Sequence, residues 1–314
     1  MSDVIATAVF LVISSVGLLG NAVSLSFFIK TRNELGNALL AYMNIADILV
    51  SLSVFLFSLV APAFQNYVIS AVLMTVARHA FRSSMFVTGL ITIYLNIVRT
   101  SAIIWPMDLV RFKKRTMHVS LALLMMIFVG IEAFLGVFCT YPFAVYPYQK
   151  MLGLKSSPPL PNDHPLKQFY NLEFTVFGTP IIFLVTVCCI VTATKLLKQN
   201  KALQQVTDNG ARTGAAITVL IVSIQYVVCN TAALTFACLY THYETRGGLN
   251  PAQLLQLFIL SMASLVVNSA LNPIVYICRV RKLREHFVSM VKCACFRERG
   301  QAQIESQRTV RETI

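Results

Sequence analysis

Charge is what this sequence has least of. Only 12% of its 314 residues are charged and 56% are apolar, whereas soluble domains carry roughly 25% charged residues. A chain so poor in charge is unable to cover a water-facing surface, so most of its exterior must face lipid. Acidic residues are the scarcer sign, 13 Asp and Glu against 26 Lys and Arg, for a formal net charge of +13. In a soluble protein that excess would point to nucleic acid; here its placement along the chain has to be read first. Tryptophan occurs once, and the eight cysteines form no CxxC pair and no Cys/His spacing suited to zinc. Cys188, Cys189, Cys229 and Cys278 lie in apolar runs and read as packing residues. There is no Asn-x-Ser/Thr glycosylation sequon and no internal repeat of the kind that marks many transporters. No nucleophile–base pair, catalytic carboxylate pair or metal-binding helix occurs in the apolar runs, which argues against an enzyme. No cleavable signal peptide is evident either. The first apolar run lacks a basic flank before it and exceeds the ~7–15 residues of a signal core.

What the sequence does have is long apolar runs. A bilayer core needs about 20 mostly apolar residues per helix, and seven segments meet that need, near 4–29, 38–61, 69–104, 117–140, 170–195, 213–240 and 252–278. The runs are continuous and do not alternate with period two, so helices are expected and a barrel is not. The expected fold is an all-α membrane protein, a seven-helix bundle followed by a short amphipathic eighth helix. Its parts are a short N-terminal segment 1–3, the bundle 4–278, a membrane-surface helix 279–296 and a disordered tail 297–314. The loop 141–169 holds six prolines and is expected to be irregular. With so few residues before the first span, no outer ligand-binding domain is expected.

Seven spans put the two termini on opposite sides, and the basic residues orient them. Nineteen Lys and Arg fall on the side of the C-terminus and four on the other, with Arg78, Arg82 and Arg99 inside the third span. That bias places the N-terminus outside and the C-terminus in the cytoplasm, at the plasma membrane. The basic charge then faces the anionic inner leaflet, and nucleic acid is not needed to explain it.

Ionisable and amide groups inside hydrocarbon are costly, so each is a functional candidate. The spans carry Asn21, Asp47 and Arg99, and the last carries Asn268, Ser269, Asn272 and Pro273 before Tyr276. The plainer reading is interhelical hydrogen bonding that holds the bundle together. Gly20-Asn21, Ala46-Asp47, Asn272-Pro273-x-x-Tyr276, the stretch from Arg99 through Ala102-Ile103 to Pro106, and Pro180 in the fifth span occur in order on the expected helices. Together they resemble the signatures of rhodopsin-like G-protein-coupled receptors, over essentially the whole chain.

The resemblance implies roles. Asp47, Thr88, Asn268, Ser269 and Asn272 match the polar cluster that holds an allosteric sodium ion in such receptors. A hard cation wants oxygen ligands, and a buried carboxylate wants a counter-charge. Arg99 and Pro106 match the region that meets a heterotrimeric G protein once the sixth helix swings out. Tyr276 rearranges in the same step, beside the helix break at Pro273. Such a receptor transduces an extracellular small-molecule signal, and its agonist acts only through its preference for the active arrangement.

Departures from the family pattern are considerable. Val98 stands where an acid usually precedes the arginine, and Arg212 stands where an acid often clamps it. These two predict a weaker inactive-state clamp and raised basal signalling. Asn230 and Ala232 replace the sixth helix's tryptophan and proline, so that helix is expected to be straighter. Met74 occupies the usual disulfide position, leaving a substitute pairing such as Cys139 with Cys238 open. The loss of several family features suits a divergent chemosensory or orphan receptor.

The outer half narrows the ligand. The aspartate of amine receptors falls on Phe81, and the retinal lysine of opsins falls near Val266, so neither an amine nor retinal is expected. Arg78 and Arg82 share a helix face one turn above Met85 and Phe86 and could hold an anionic ligand by paired hydrogen bonds. Alternatively they reach the interface or pair with an acid such as Glu173 or Glu132. His79 reads as facing a neighbouring helix or headgroups. Past the last span, Leu283, Phe287 and Met290 recur at helical spacing, suiting a surface helix. Cys293 and Cys295 follow as lipidation candidates or free thiols. The rival reading from another class is a small membrane transporter or channel, which would use Asp47 and Arg99 to line a path.

Overall fold

The computed structural model describes residues 2–32, 35–63, 68–104, 114–135, 165–202, 210–246, 248–290 and 292. Seven long helices account for nearly all of them: α1 (Ser2–Lys30), α2 (Leu35–Ala63), α3 (Val68–Ile104), α4 (Lys114–Leu135), α5 (Pro165–Ala202), α6 (Gly210–Arg246) and α7 (Pro251–Arg279). After a single extended residue, Val280, a shorter helix α8 spans 281–290. No strand occurs among the described residues. Hydrocarbon offers backbone groups no partner, so each span must satisfy its own hydrogen bonds, which is why the apolar runs are helical throughout.

Six of these helices are long and apolar enough to cross a membrane. In α4 the apolar stretch is the shorter Val119–Phe134; the rest of the expected fourth span, 136–140, lies outside the described residues. α5 starts at Pro165, within the segment expected to be irregular; a proline is tolerated in a helix's first turn because its missing N–H has no partner there anyway. The remainder of that segment, 141–164, lies outside the described residues. α7 opens with a capping box in which Asn250 and Gln253 satisfy each other's backbone N–H groups, followed by Pro251 at the first helical position.

The bundle is organised around α3, which packs on α2, α4, α5 and α6 and has 72% of its span buried, against 22% for α1. α1 instead lies on α2 and α7, and its outer face (Val12, Val16, Leu19) is exposed as lipid would require. Three apolar clusters fill the interior. One lies at the Arg99 end and joins Phe28, Met43, Ile91, Leu95, Val98, Val222, Tyr276 and Leu283 of α8. A second joins Val50, Phe81, Met85, Ala233 and Val266. A third packs Phe86 of α3 against Ile181, Val185 and Tyr226.

Two glycines set close approaches. A methyl group added at Gly20 would come within 2.8 Å of the Pro273 ring, so Gly20 is what lets α1 sit against the proline of α7. One added at Gly89 would collide with the Tyr226 hydroxyl and with Ile181, so Gly89 makes room for a large aromatic from α6. α6 runs unbroken through Asn230 and Ala232. Asn230 donates to the carbonyl of Tyr226 at 2.9 Å, one turn back.

Candidate functional site

The first cluster is built on Pro273. A proline within a helix has no N–H for the carbonyl four residues before it, and in α7 that carbonyl belongs to Ser269. Asn21 of α1 supplies the missing donor: its Nδ2 lies 3.1 Å from Ser269 O and 2.9 Å from Gly17 O. The helix break is thus also the joint between α1 and α7. Ser269 turns its own hydroxyl to the Asp47 carbonyl at 2.9 Å and lies 3.3 Å from the hydroxyl of Ser51.

Asp47 is 1% exposed and accepts a hydrogen bond from Asn272 Nδ2 at 2.7 Å. The other end of the same amide, Asn272 Oδ1, accepts from Gln225 Nε2 of α6 at 3.2 Å, and Gln225 also donates to Asn268 O at 2.7 Å. α2, α7 and α6 are therefore joined through one asparagine whose two ends face different helices. Tyr276, fully buried, points its hydroxyl at Met43 Sδ, 3.4 Å away, and packs edge-on to Phe28. Thr88 is also buried, and its hydroxyl has no hydrogen-bond partner among the described residues. Of the residues expected in the relay, Asn21, Asp47, Asn268, Ser269, Asn272 and Pro273 meet through these contacts. Ser51 and Gln225 belong with them and were not anticipated. The rule that makes every amide inside a span a candidate would have singled out Gln225.

The second cluster joins α3 to α4. Glu132 is 1% exposed, and its two carboxylate oxygens take different partners: Oε2 lies 2.8 Å from His79 Nδ1 and Oε1 lies 3.2 Å from Arg82 Nε. Arg82 makes the expected pairing with Glu132, the side chain of Glu173 lies outside the described residues, and His79 faces the neighbouring helix α4. Phe81 and Met85 sit in the apolar cluster below, and Phe86 meets Phe177 edge-on at 6.0 Å.

Arg78 and Arg99 lie on α3, but their side chains are outside the described residues, as are Pro106, Cys293 and Cys295. Cys238 is a free thiol 3.4 Å from Thr175 Oγ1; Cys139, its conceivable partner, lies outside the described residues. Among the described residues no group of three His, Cys, Asp or Glu is placed to hold a metal ion.

Long apolar helices enclosing a buried polar spine define a multi-pass membrane protein. The chain belongs to the rhodopsin family of seven-transmembrane receptors: the family model described as 7 transmembrane receptor (rhodopsin family) matches residues 20–276. Comparison with curated proteins finds no match.

Proposed function

We propose that this receptor sits in the plasma membrane with its N-terminus outside and couples an extracellular small molecule to a heterotrimeric G protein through Arg99 at the cytoplasmic end of α3. The observation that carries the reading is the buried bond from Asn272 to Asp47, extended through Gln225 to α6. It ties the helix that must move in coupling to the polar centre of the bundle, and a transport path has no need of it.

The residues around Asp47 suit a sodium ion. Asp47 offers a carboxylate, Ser51, Thr88 and Ser269 offer hydroxyls, and the Thr88 hydroxyl is buried with no hydrogen-bond partner among the described residues. Bound there, the ion supplies the counter-charge that the amide of Asn272 lacks, and Asp47, Thr88 and Ser269 would hold it. The expected consequence is a sodium-dependent rise in the unfolding temperature of the purified receptor, absent in Asp47→Asn.

The ligand is expected to be small; Arg78 and Arg82, four residues apart in the sequence of α3, keep an anion among the candidates although Arg82 is engaged by the buried Glu132, and a chemosensory role fits the divergence of this half from the family pattern. The deciding measurement screens organic acids, lipids, amines and odorants across several G-protein readouts at matched surface expression. A response lost in Arg99→Ala supports coupling. Ion or solute flux with no G-protein activation by any compound would overturn it.

A further inference from the structure

We propose that Gln225, Ser223 and Asn96 form an uncharged latch that holds α6 against α3 and α7, in a chain where Val98 and Arg212 stand in place of the acids of the usual charged clamp; the proposal rests on the coupling reading above. The usual restraints on the sixth helix are missing here. Val98 precedes Arg99, Arg212 is basic, and neither tryptophan nor proline occurs at 230 and 232. Val98 is buried in the apolar cluster and offers Arg99 no charge.

What holds α6 instead is a set of amide bonds in mid-span. Asn96 Nδ2 donates to Ser223 Oγ at 2.7 Å and to Thr92 O at 2.8 Å. Ser223 donates its hydroxyl hydrogen bond to Val219 O at 2.7 Å, so its lone pair is left to accept from Asn96 and the bond has a fixed direction. Both side chains are fully buried, and Asn96 Oδ1 has no hydrogen-bond partner among the described residues. Two residues on, Gln225 Nε2 reaches Asn268 O and Asn272 Oδ1 on α7. Ser223 lies nearer the Arg99 end of α6 than Gln225 does. An outward swing of that end therefore breaks the Asn96 bond first and strains the Gln225 bonds next.

The Asn96 and Ser223 groups are buried, so those released by the swing lose their partners until other protein groups or solvent replace them. The latch also reads the Asp47 centre. Asn272 presents Oδ1 to Gln225 only while its Nδ2 faces Asp47, so a turn of that amide loosens α6. Gln225, Ser223 and Asn96 are positioning residues, since they act on Arg99's surroundings through the helix that carries two of them.

The test uses the full-length receptor in lipid nanodiscs, without ligand or G protein, carrying spin-labelled non-natural residues at Thr116 in α4 and Gly214 in α6. Pulsed dipolar spectroscopy then reads the α4-to-α6 separation. Interhelical hydrogen bonds in membranes average a worth that shifts a two-state ratio by about threefold. Gln225→Met and Ser223→Ala should each raise the long-distance population by about threefold, and the double variant by about ninefold if the bonds act independently. Ser223→Thr keeps the hydroxyl and should retain the parent distribution. Basal G-protein activation at matched surface expression should rise in the same order. An unchanged distribution in the double variant overturns the latch whatever the signalling does. A shifted distribution with no rise in activation upholds the latch and overturns the coupling reading. If the double variant is not recovered folded, the two single variants against Ser223→Thr decide by the same criteria.

Discussion

Among the described residues two carboxylates are buried, each 1% exposed, and they are held in opposite ways. Glu132 shares its two oxygens between His79 and Arg82, all on α3 and α4. Asp47 is met by the amide of Asn272, whose own oxygen is engaged by Gln225 of a further helix. An ion pair in a low-dielectric site is strong but unforgiving, because removing one partner strands the other's charge. Amides carry a donor and an acceptor at opposite ends, so they can exchange partners without leaving a charge behind. The first arrangement suits a fixed seam. The second suits a joint that must rearrange. The packing agrees: Leu121 and Glu132 are the two fully buried side chains among the described residues of α4, so the ionic cluster is a main anchor of a helix that otherwise lies on the bundle's surface.

The comparison breaks most sharply at Glu132. Glu132→Ala removes the buried carboxylate that joins His79 and Arg82 of α3 to α4 and should destabilise the receptor by roughly 1.5–3 kcal/mol, the usual worth of a hydrogen bond to a charged group. Asp47→Asn keeps an oxygen for Asn272 and should cost no more than about 1 kcal/mol. Thermal unfolding in detergent micelles measures both, and equal losses would remove the distinction.

A smaller effect sharpens the account of the joint at Pro273. Asn21→Ala should cost about 1–2 kcal/mol by leaving the Ser269 carbonyl short of a donor. In a Pro273→Ala background, residue 273 supplies its own N–H, and the Asn21→Ala penalty should shrink by more than half. An unchanged penalty in that double-mutant cycle would mean that Asn21 acts through Gly17 or packing and not through the helix break.

The smallest expected effect lies outside both clusters. Arg281 and Glu285 form an exposed pair on α8, 2.8 Å apart, with side chains 83% and 61% exposed. Arg281→Ala should change stability by on the order of 0.3–0.5 kcal/mol and lose even that in high salt. A larger loss would assign Arg281 a partner beyond Glu285.

Much of this was legible in the residue order. Apolar runs of membrane length are a composition signal, so the helices were expected close to where they lie; the largest departures are α5, which runs Pro165–Ala202 against an expected 170–195, and the end of α6, at Arg246 against 240. Asn21, Asp47 and Asn272 stand out because amides and carboxylates are rare inside such runs. The sequence was ambiguous where the answer depended on which helix faces which. Arg82 with Glu132 and Asn96 with Ser223 are separated by 50 and 127 residues, and no spacing rule links them.

The sequence alone determined that the chain is a helical membrane protein with a polar spine, because lipid penalises every unpaired backbone and every unneeded polar side chain. Only the tertiary structure decided the partners: that Glu132 sits between His79 and Arg82, that Asn21 mends the break made by Pro273, and that amides tie α6 to α3 and α7. Those choices depend on the rotation and approach of whole helices, set in part by Gly20 and Gly89, and such geometry is a property of the packed bundle that no single segment encodes.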